Sequence, residues 1–201
     1  GLDRYKNFVL EWEGPEVTYP RQFIRPADAE RLRDTIDDAP LADQLGKLSW
    51  LATGQPAAAK KALEEATKRI RQKARFMLSS PTIGHHQMAQ NYQSAAWAED
   101  ALAWPDLPEV DRQELRSLIA LITYLYQEHD VISYGNGCHH GNPNMGVARS
   151  MGMNNFAALI PDHPMAEQWY AHMTQYTQYK IGEFTAPGGG WFEYGAAYHM
   201  H

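Results

Sequence analysis

Apolar residues recur at helical spacing along most of this chain. The clearest pattern opens at Pro56, a residue type that is favoured in the first turn of a helix. From there one face is rich in Lys, Glu and Arg, which predicts a solvent-exposed side, and the other is apolar, with Ala59, Leu63, Ala66, Ile70, Ala74 and Met77. A second pattern covers residues 110–129 and places five side chains inward, namely Leu115, Leu118, Ile119, Ile122 and Leu125.

Weaker patterns and breaker residues predict further helices. They cover residues 26–33, 41–52, 86–104, 145–159 and 166–176, the last with Ala166, Trp169, Met173 and Tyr176 on one face. Residues 5–25 contain Pro15 and Pro20 and are expected to be extended or irregular. Helices joined by short turns predict an all-α fold of antiparallel helical hairpins. We divide the chain into an extended N-terminal segment, residues 1–25, and a helical domain, residues 26–201.

Charge is unevenly distributed along the chain. The net charge of -6 argues against nucleic acid as a partner, and no apolar run is long enough to span a membrane. Cys138 is the only cysteine, so an internal disulfide is excluded. Residues 1–80 hold 14 of the 18 Lys and Arg, whereas residues 134–201 hold only Arg149 and Lys180. That last third is rich in Asn, His, Tyr and Gly instead, which suits a cleft for sugars because sugars present hydroxyls and apolar ring faces.

Two segments of this last third concentrate groups that exchange protons. The first is Asn136-Gly137-Cys138-His139-His140-Gly141-Asn142-Pro143-Asn144-Met145-Gly146. The second is Gly188-Gly189-Gly190-Trp191-Phe192-Glu193-Tyr194-Gly195-Ala196-Ala197-Tyr198-His199. Neither segment has a regular apolar period, so both are predicted to be junctions between a loop and a helix.

These motifs, in this order, resemble those of the heparinase II/III-like and alginate-lyase-like polysaccharide lyases. The similar pieces are Tyr19-Pro20-Arg21 followed by residues 28–33, then residues 142–146, 164–169, 189–193 and 198–199. The resemblance covers most of the chain and is strongest after residue 134. It implies an (α/α) toroid followed by a β-sandwich, so we expect residues 26–201 to be part of a toroid whose remaining helices lie beyond the C-terminus.

The resemblance also implies the chemistry, which is β-elimination at a uronic acid. In that family an Asn or His and a Tyr about fifty-five residues later form the centre of the site. Asn144 and Tyr198 are 54 residues apart, and Asn142 is the competing choice at 56. Asn144 would hydrogen-bond the uronate carboxyl group, and Tyr198 would act as acid and base. His139 and His140 would assist the Tyr, or a His would itself be the base.

Further residues are expected to bind the substrate, and no cofactor or metal is expected in the site. They are Asn142, Arg149, Trp191, Glu193, Tyr194, His199, His85 and His86. The expected partner is an anionic polysaccharide rather than nucleic acid or a membrane, and the scarcity of Lys and Arg favours a non-sulfated uronate such as alginate. The resemblance implies a periplasmic or secreted protein. An incomplete toroid predicts an exposed apolar surface and self-association.

Simpler structural roles compete with these assignments. Asn142 or Asn144 could cap the helix that follows, and Tyr198 could be a half-buried aromatic residue. The three consecutive glycines, residues 188–190, fit a turn, and Glu193 could hold the loop that carries Trp191.

Three other functions remain open on the sequence. His139, His140, His199 and His201 supply enough imidazoles for a zinc site, although their spacing matches no tight metal motif. A glycoside hydrolase would need a second carboxylate to act with Glu193; the loop segments supply no obvious one, and Asp162 and Glu183 lie next to helix ends. A non-catalytic carbohydrate-binding protein would use only the stacking surfaces of Trp191, Tyr194 and Tyr198.

Overall fold

The computed structural model describes residues 2–14, 17–35, 47–79, 92–127, 151–184 and 187–188. A 3-10 helix at Leu2–Asn7 comes first. The α-helices are then Pro26–Thr35 (α1), Ser49–Thr53 (α2), Pro56–Ser79 (α3), Tyr92–Leu102 (α4), Glu109–Gln127 (α5), residues 151–157 (α6) and Ala166–Phe184 (α7). No strand occurs in the described ranges, so the predicted all-α class is confirmed. Closure of the helices into a toroid stays a prediction.

Helix α3 is the centre of the core, and it packs against α2, α4 and α5. Small side chains on its apolar face allow this close approach; the buried ones are Ala58, Ala59, Ala62, Ala66 and Ala74, with Ile70 and Met77. The predicted apolar face is therefore confirmed, apart from Leu63, which is only half-buried.

The charged face of α3 contains one exception to the prediction. Lys73 was assigned to the solvent-exposed side, but it is buried, because it follows Ile70 by three residues and precedes Met77 by four. Burial lowers its pKa to about 8. The assignment of this one lysine to solvent was wrong.

Helices α2 and α4 are shorter than their predicted ranges within the described residues. Helix α2 ends before Gly54, as predicted; Gly54 has a φ of 67° and donates its N–H to the carbonyl oxygen of Trp50 at 2.7 Å. Helix α4 ends at Leu102, two residues before the predicted end, because the N–H of Trp104 turns back to the carbonyl oxygen of Ala101. Residues 36–46 and 80–91 lie outside the described residues.

The N-terminal segment is irregular after Asn7, as expected, and its aromatic side chains pack against the core. Phe8, Trp12 and Tyr19 all pack against the buried cluster. The hydroxyl of Tyr19 donates to the carbonyl oxygen of Leu159 at 2.5 Å. The segment therefore crosses the helical domain and stabilises the turn between α6 and α7.

Helices α5, α6 and α7 pack around a group of large aromatic side chains. Four of the five predicted inward residues of α5 are buried, and Leu118 is half-buried. In α7, Trp169 and Met173 are buried as predicted, whereas Ala166 and Tyr176 are only half-buried. The indole N–H of Trp169 donates to the side-chain oxygen of Gln127 at 3.0 Å, which ties the start of α7 to the end of α5.

Candidate functional site

The side chains on which the predicted chemistry depends lie outside the described residues. This holds for the catalytic candidates Asn144, Tyr198, His139 and His140. It holds equally for the binding candidates Asn142, Arg149, Trp191, Glu193, Tyr194, His199, His85 and His86. What the structure does describe is the pair of helix ends to which the two motif segments are joined.

Residues 128–150, which contain the first motif segment, are bounded by two neighbouring points of the described structure. This stretch leaves α5 after Gln127 and rejoins the described chain at Met151, the first described residue of α6. Gly152 of α6 lies against the ring of Tyr126 in α5, since a Cβ on Gly152 would lie only 2.9 Å from Cζ of that tyrosine. The two ends of this stretch are therefore close together.

From the turn at residues 158–165, helix α7 runs back past Met151, the first described residue of α6. A groove of about 330 Å³ is lined by Met151 and Asn154 from α6 together with five side chains of α7, namely Tyr170, Met173, Thr174, Thr177 and Gln178. From Gln178 the helix continues to Phe184, which is about 9 Å at 1.5 Å per residue. The second motif segment follows Phe184 at one end of α7, and the turn at residues 158–165 leads into the other end. Gln127, the last described residue before the first motif segment, is hydrogen-bonded to Trp169 in the first turn of α7. Met151, the first described residue after that segment, lies at the groove.

The turn at residues 158–165 contains a buried ion pair. The carboxylate oxygen Oδ2 of Asp162 accepts the indole N–H of Trp12 at 3.0 Å and an N–H of Arg116 at 2.5 Å. The guanidinium of Arg116 also lies 4.6 Å from the centre of the Trp12 ring. The side chain of Asp162 is only 3% exposed. Asp162, one of the two carboxylates weighed for a hydrolase, is therefore a structural anchor in contact with the N-terminal segment.

His163 extends this anchor into the aromatic group. Its Nε2 lies 2.9 Å from the carbonyl oxygen of Val9, and its Nδ1 accepts the backbone N–H of Met165 at 3.0 Å. The ring stacks on Trp169 at 4.4 Å between centroids. Burial is the main reason that the pKa of His163 lies below its usual value. A neutral imidazole with the proton on Nε2 satisfies both contacts, which gives His163 a structural role.

Two adjacent carboxylates in α4 hold two separate parts of the chain. Glu99 accepts the backbone N–H groups of residues 21, 22 and 23 at 2.7, 2.5 and 2.8 Å. Asp100 accepts those of Trp50 and Leu51 at 3.0 and 2.8 Å. Asp100 thus satisfies the first turn of α2, whose preceding residue Leu48 forms no side-chain cap. Burial raises the pKa of Asp100 to about 7.

Sequence reasoning missed these two carboxylates, although a signal was present. Glu99 and Asp100 stand in the middle of an otherwise apolar run, Ala95-Ala96-Trp97-Ala98 before them and Ala101-Leu102 after them. Acidic residues are almost never fully buried unless they are paired or hydrogen-bonded. Such a pair in an apolar helix is therefore a sign of buried backbone partners elsewhere in the chain.

A cavity of about 920 Å³ separates the N-terminal segment from the turn between α4 and α5. Trp12, Tyr19 and Trp104 line it, together with Arg112 and Arg116. Both arginines already donate to internal acceptors, since Arg112 binds the carbonyl oxygens of residues 102 and 104 at 3.1 and 3.3 Å. The cavity therefore has aromatic walls without the properties of an anion site.

The described residues contain neither a cluster of metal ligands nor a membrane-spanning helix. Across the described ranges, no group of three or more His, Cys, Asp or Glu side chains could hold a metal ion. His139, His140, His199 and His201, the set considered for zinc, lie outside those ranges. None of the described helices is long and apolar enough to cross a membrane.

Comparison with known proteins adds no relative. No protein-family model, curated protein or solved structure is significantly similar to this chain. The resemblance to the polysaccharide lyases therefore rests on the sequence motifs alone, and the fold is described by its own helices.

Proposed function

We propose that this chain is the helical part of a polysaccharide lyase that cleaves a uronic-acid polysaccharide by β-elimination. The main structural support is the groove between α6 and α7, which adjoins Met151, seven residues after Asn144, and is lined by the helix that leads towards Tyr198. That arrangement allows groups 54 residues apart in sequence, Asn144 and Tyr198, to act on one sugar. The order of the motifs provides the second support.

The reaction needs three things from the protein, and the proposed residues supply them. Asn144 donates a hydrogen bond to the C6 carboxyl group and so stabilises the negative charge that develops next to C5. Tyr198, as a phenolate, removes the C5 proton. The electron pair of that C–H bond forms the double bond between C4 and C5 as the C4–O4 bond breaks. The phenol of Tyr198 then returns the proton to O4. This oxygen stays bonded to C1 of the neighbouring sugar and becomes the anomeric hydroxyl of the new reducing end.

A phenolate base requires help, because an unperturbed Tyr has a pKa of about 10. A neighbouring cation or strong hydrogen-bond donor lowers that value, and His139, His140, His199 and Arg149 are the proposed sources. The alternative within the same mechanism is a His as the base, with Tyr198 only as the acid. The remaining candidates hold the polymer, with Trp191 and Tyr194 stacking on sugar rings.

The substrate proposed is a non-sulfated uronate polymer, with alginate first. Sulfate groups are bound by several cationic side chains, and the only Lys or Arg residues in the range 134–201 are Arg149 and Lys180. The elimination draws on side chains alone and calls for no cofactor. As in the related lyases, a periplasmic or secreted location is proposed, because the substrate is a large extracellular polymer.

The test is the appearance of ultraviolet absorbance from the unsaturated uronate over a panel of uronate polymers. Asn144→Ala and Tyr198→Phe are each expected to reduce the rate by about 10² to 10⁴-fold. Asn142→Ala tests the competing assignment, and Tyr179→Phe, a change at an exposed tyrosine of α7, serves as the matched control. Full activity of Tyr198→Phe with a preserved fold would contradict the proposal.

A further inference from the structure

The groove between α6 and α7 has a side-chain composition that suits a sugar. Tyr170, Met173, Thr174, Thr177 and Gln178 follow one another at the three- and four-residue spacing that places side chains on one face of a helix. Met173 is buried, whereas Tyr170 is 65% exposed. The groove therefore has an apolar floor and an aromatic ring that is open to solvent.

Apart from the exposed Met151, the other described side chains of the groove are neutral hydrogen-bonding groups. Thr174, Thr177 and Gln178 come from α7, and Asn154 faces them from α6. Hydroxyls and amides both donate and accept hydrogen bonds, which matches the hydroxyl groups of a pyranose. No Lys, Arg, Asp or Glu is among the described residues that line the groove.

We propose that this groove binds sugar rings of the substrate polymer at a distance from the bond that is cleaved, with Tyr170 stacking on an apolar ring face. The inference takes the identity of the polymer from the proposed function. Two further observations favour this occupant. Met151 at the groove is directly joined to the segment that contains Asn144, so one polymer chain can reach both places. An apolar protein partner would need a larger apolar patch than Tyr170 and Met151 provide beside four polar side chains.

The uncharged lining that the described residues give this groove makes a specific prediction about salt. Contacts between charged groups weaken as ionic strength rises, whereas ring stacking and neutral hydrogen bonds are not screened in that way. The contribution of Tyr170 to binding is therefore expected to be the same at low and high salt. The uronate carboxylates of the polymer point away from this groove in the proposed arrangement.

The test uses affinity electrophoresis of the full chain in gels that contain alginate or hyaluronan. Tyr198→Phe is the background, so that the polymer is not consumed. Tyr170→Ala is expected to weaken retention by roughly two- to tenfold, as for loss of one aromatic contact, and Tyr170→Phe is expected to retain it. Tyr179→Ala is the control. Tyr179 is also exposed and lies on the same helix, but nine residues, or about two and a half turns, place it on the opposite face from Tyr170.

The outcomes separate this inference from the proposed function. Weaker retention of Tyr170→Ala alone, by the same factor at low and high salt, supports the groove even if no elimination product is ever found. Equal retention of all variants, or no retention of the parent chain in either gel, overturns it, and elimination could still be observed independently. A change of oligomeric state in Tyr170→Ala, seen by light scattering, would also overturn it, because the groove would then bind a second protein.

Discussion

The indole N–H of Trp12 donates to the carboxylate of Asp162 at 3.0 Å, across 150 residues of sequence. Arg116 of α5 donates to the same carboxylate oxygen and lies over the Trp12 ring. Three distant parts of the chain, the N-terminal segment, α5 and the turn before α7, therefore meet at one buried charge. This contact holds the turn before α7 against α5 and the N-terminal segment.

Replacement of Asp162 tests the importance of that contact. Asp162→Asn leaves the largely buried guanidinium of Arg116 without its anion, and we expect a loss of about 2–3 kcal/mol of unfolding free energy. Glu65→Gln is the matched control, because it removes a carboxylate from an exposed ion pair with Arg69 on α3 and should cost less than about 0.5 kcal/mol. Urea denaturation measures both, and equal effects would show that the buried pair adds no stability.

Glu99 is expected to control the order of residues 21–23. Its carboxylate accepts three backbone N–H groups, whereas a glutamine has one acceptor oxygen and would place an amide N–H among donors. Glu99→Gln should therefore speed hydrogen exchange at these amides and lower stability by about 2 kcal/mol. Glu64→Gln, on the exposed side of α3, is the control. Unchanged protection of residues 21–23 would rule out this role.

Asp100 predicts a decrease of stability with rising pH. Burial raises its pKa from 3.8 to about 7, so the folded chain retains a proton that the unfolded chain has released. The stabilisation is complete below the unfolded pKa and is lost as pH rises through about 7. We expect its contribution to fall by about 2.5 kcal/mol between about pH 5 and about pH 8.

The pH experiment compares denaturation of the parent chain with that of Asp100→Asn, which cannot titrate at this position. His163 acts in the opposite direction, because its lowered pKa removes stability as pH falls, but it is present in both chains and cancels. Parallel stability curves for the two chains would contradict the raised pKa of Asp100.

Gly152 is expected to tolerate no side chain. An added Cβ would lie 2.9 Å from Cζ of Tyr126, so either this fully buried ring or the backbone of α6 would have to move. Gly152→Ala should destabilise the fold by about 1–3 kcal/mol through overpacking. Gly182→Ala is the control in α7, where a Cβ meets nothing within 4 Å, and it should stabilise by about 0.5–1 kcal/mol. A neutral effect at Gly152 would mean that α5 and α6 are farther apart than described.

Much of the fold could be predicted because the long helices have regular apolar faces. The apolar positions follow the helical period over about five turns in α3 and about three in α5, so one or two exceptions such as Leu63 or Leu118 do not change the assignment. Pro56 also correctly predicted the start of α3, and Gly54 correctly predicted the end of α2.

The long-range polar contacts could not be predicted in the same way. The partners of Glu99 and Asp100 are backbone groups far away in sequence, and backbone groups have no residue-type signal. Burial of Lys73 depends on the neighbours of its helix and not on its own pattern. The role of Asp162 likewise required knowing that Trp12 and Arg116 converge on it. For Asn144 and Tyr198, which lie outside the described residues, the order of the motifs and the groove at Met151 support the proposal, and the activity of the variants tests it.

The most direct test of the central claim is mass spectrometry of the products formed from alginate and the other uronate polymers in water enriched in ¹⁸O. Elimination predicts one unsaturated oligosaccharide end per cut, lighter than a hydrolysis product by one water, with no ¹⁸O incorporated by the cleavage itself. Incorporation of one ¹⁸O atom per cut, in the fragment that carries the new reducing end, with no double bond in the other fragment, would contradict elimination and would identify the protein as a hydrolase.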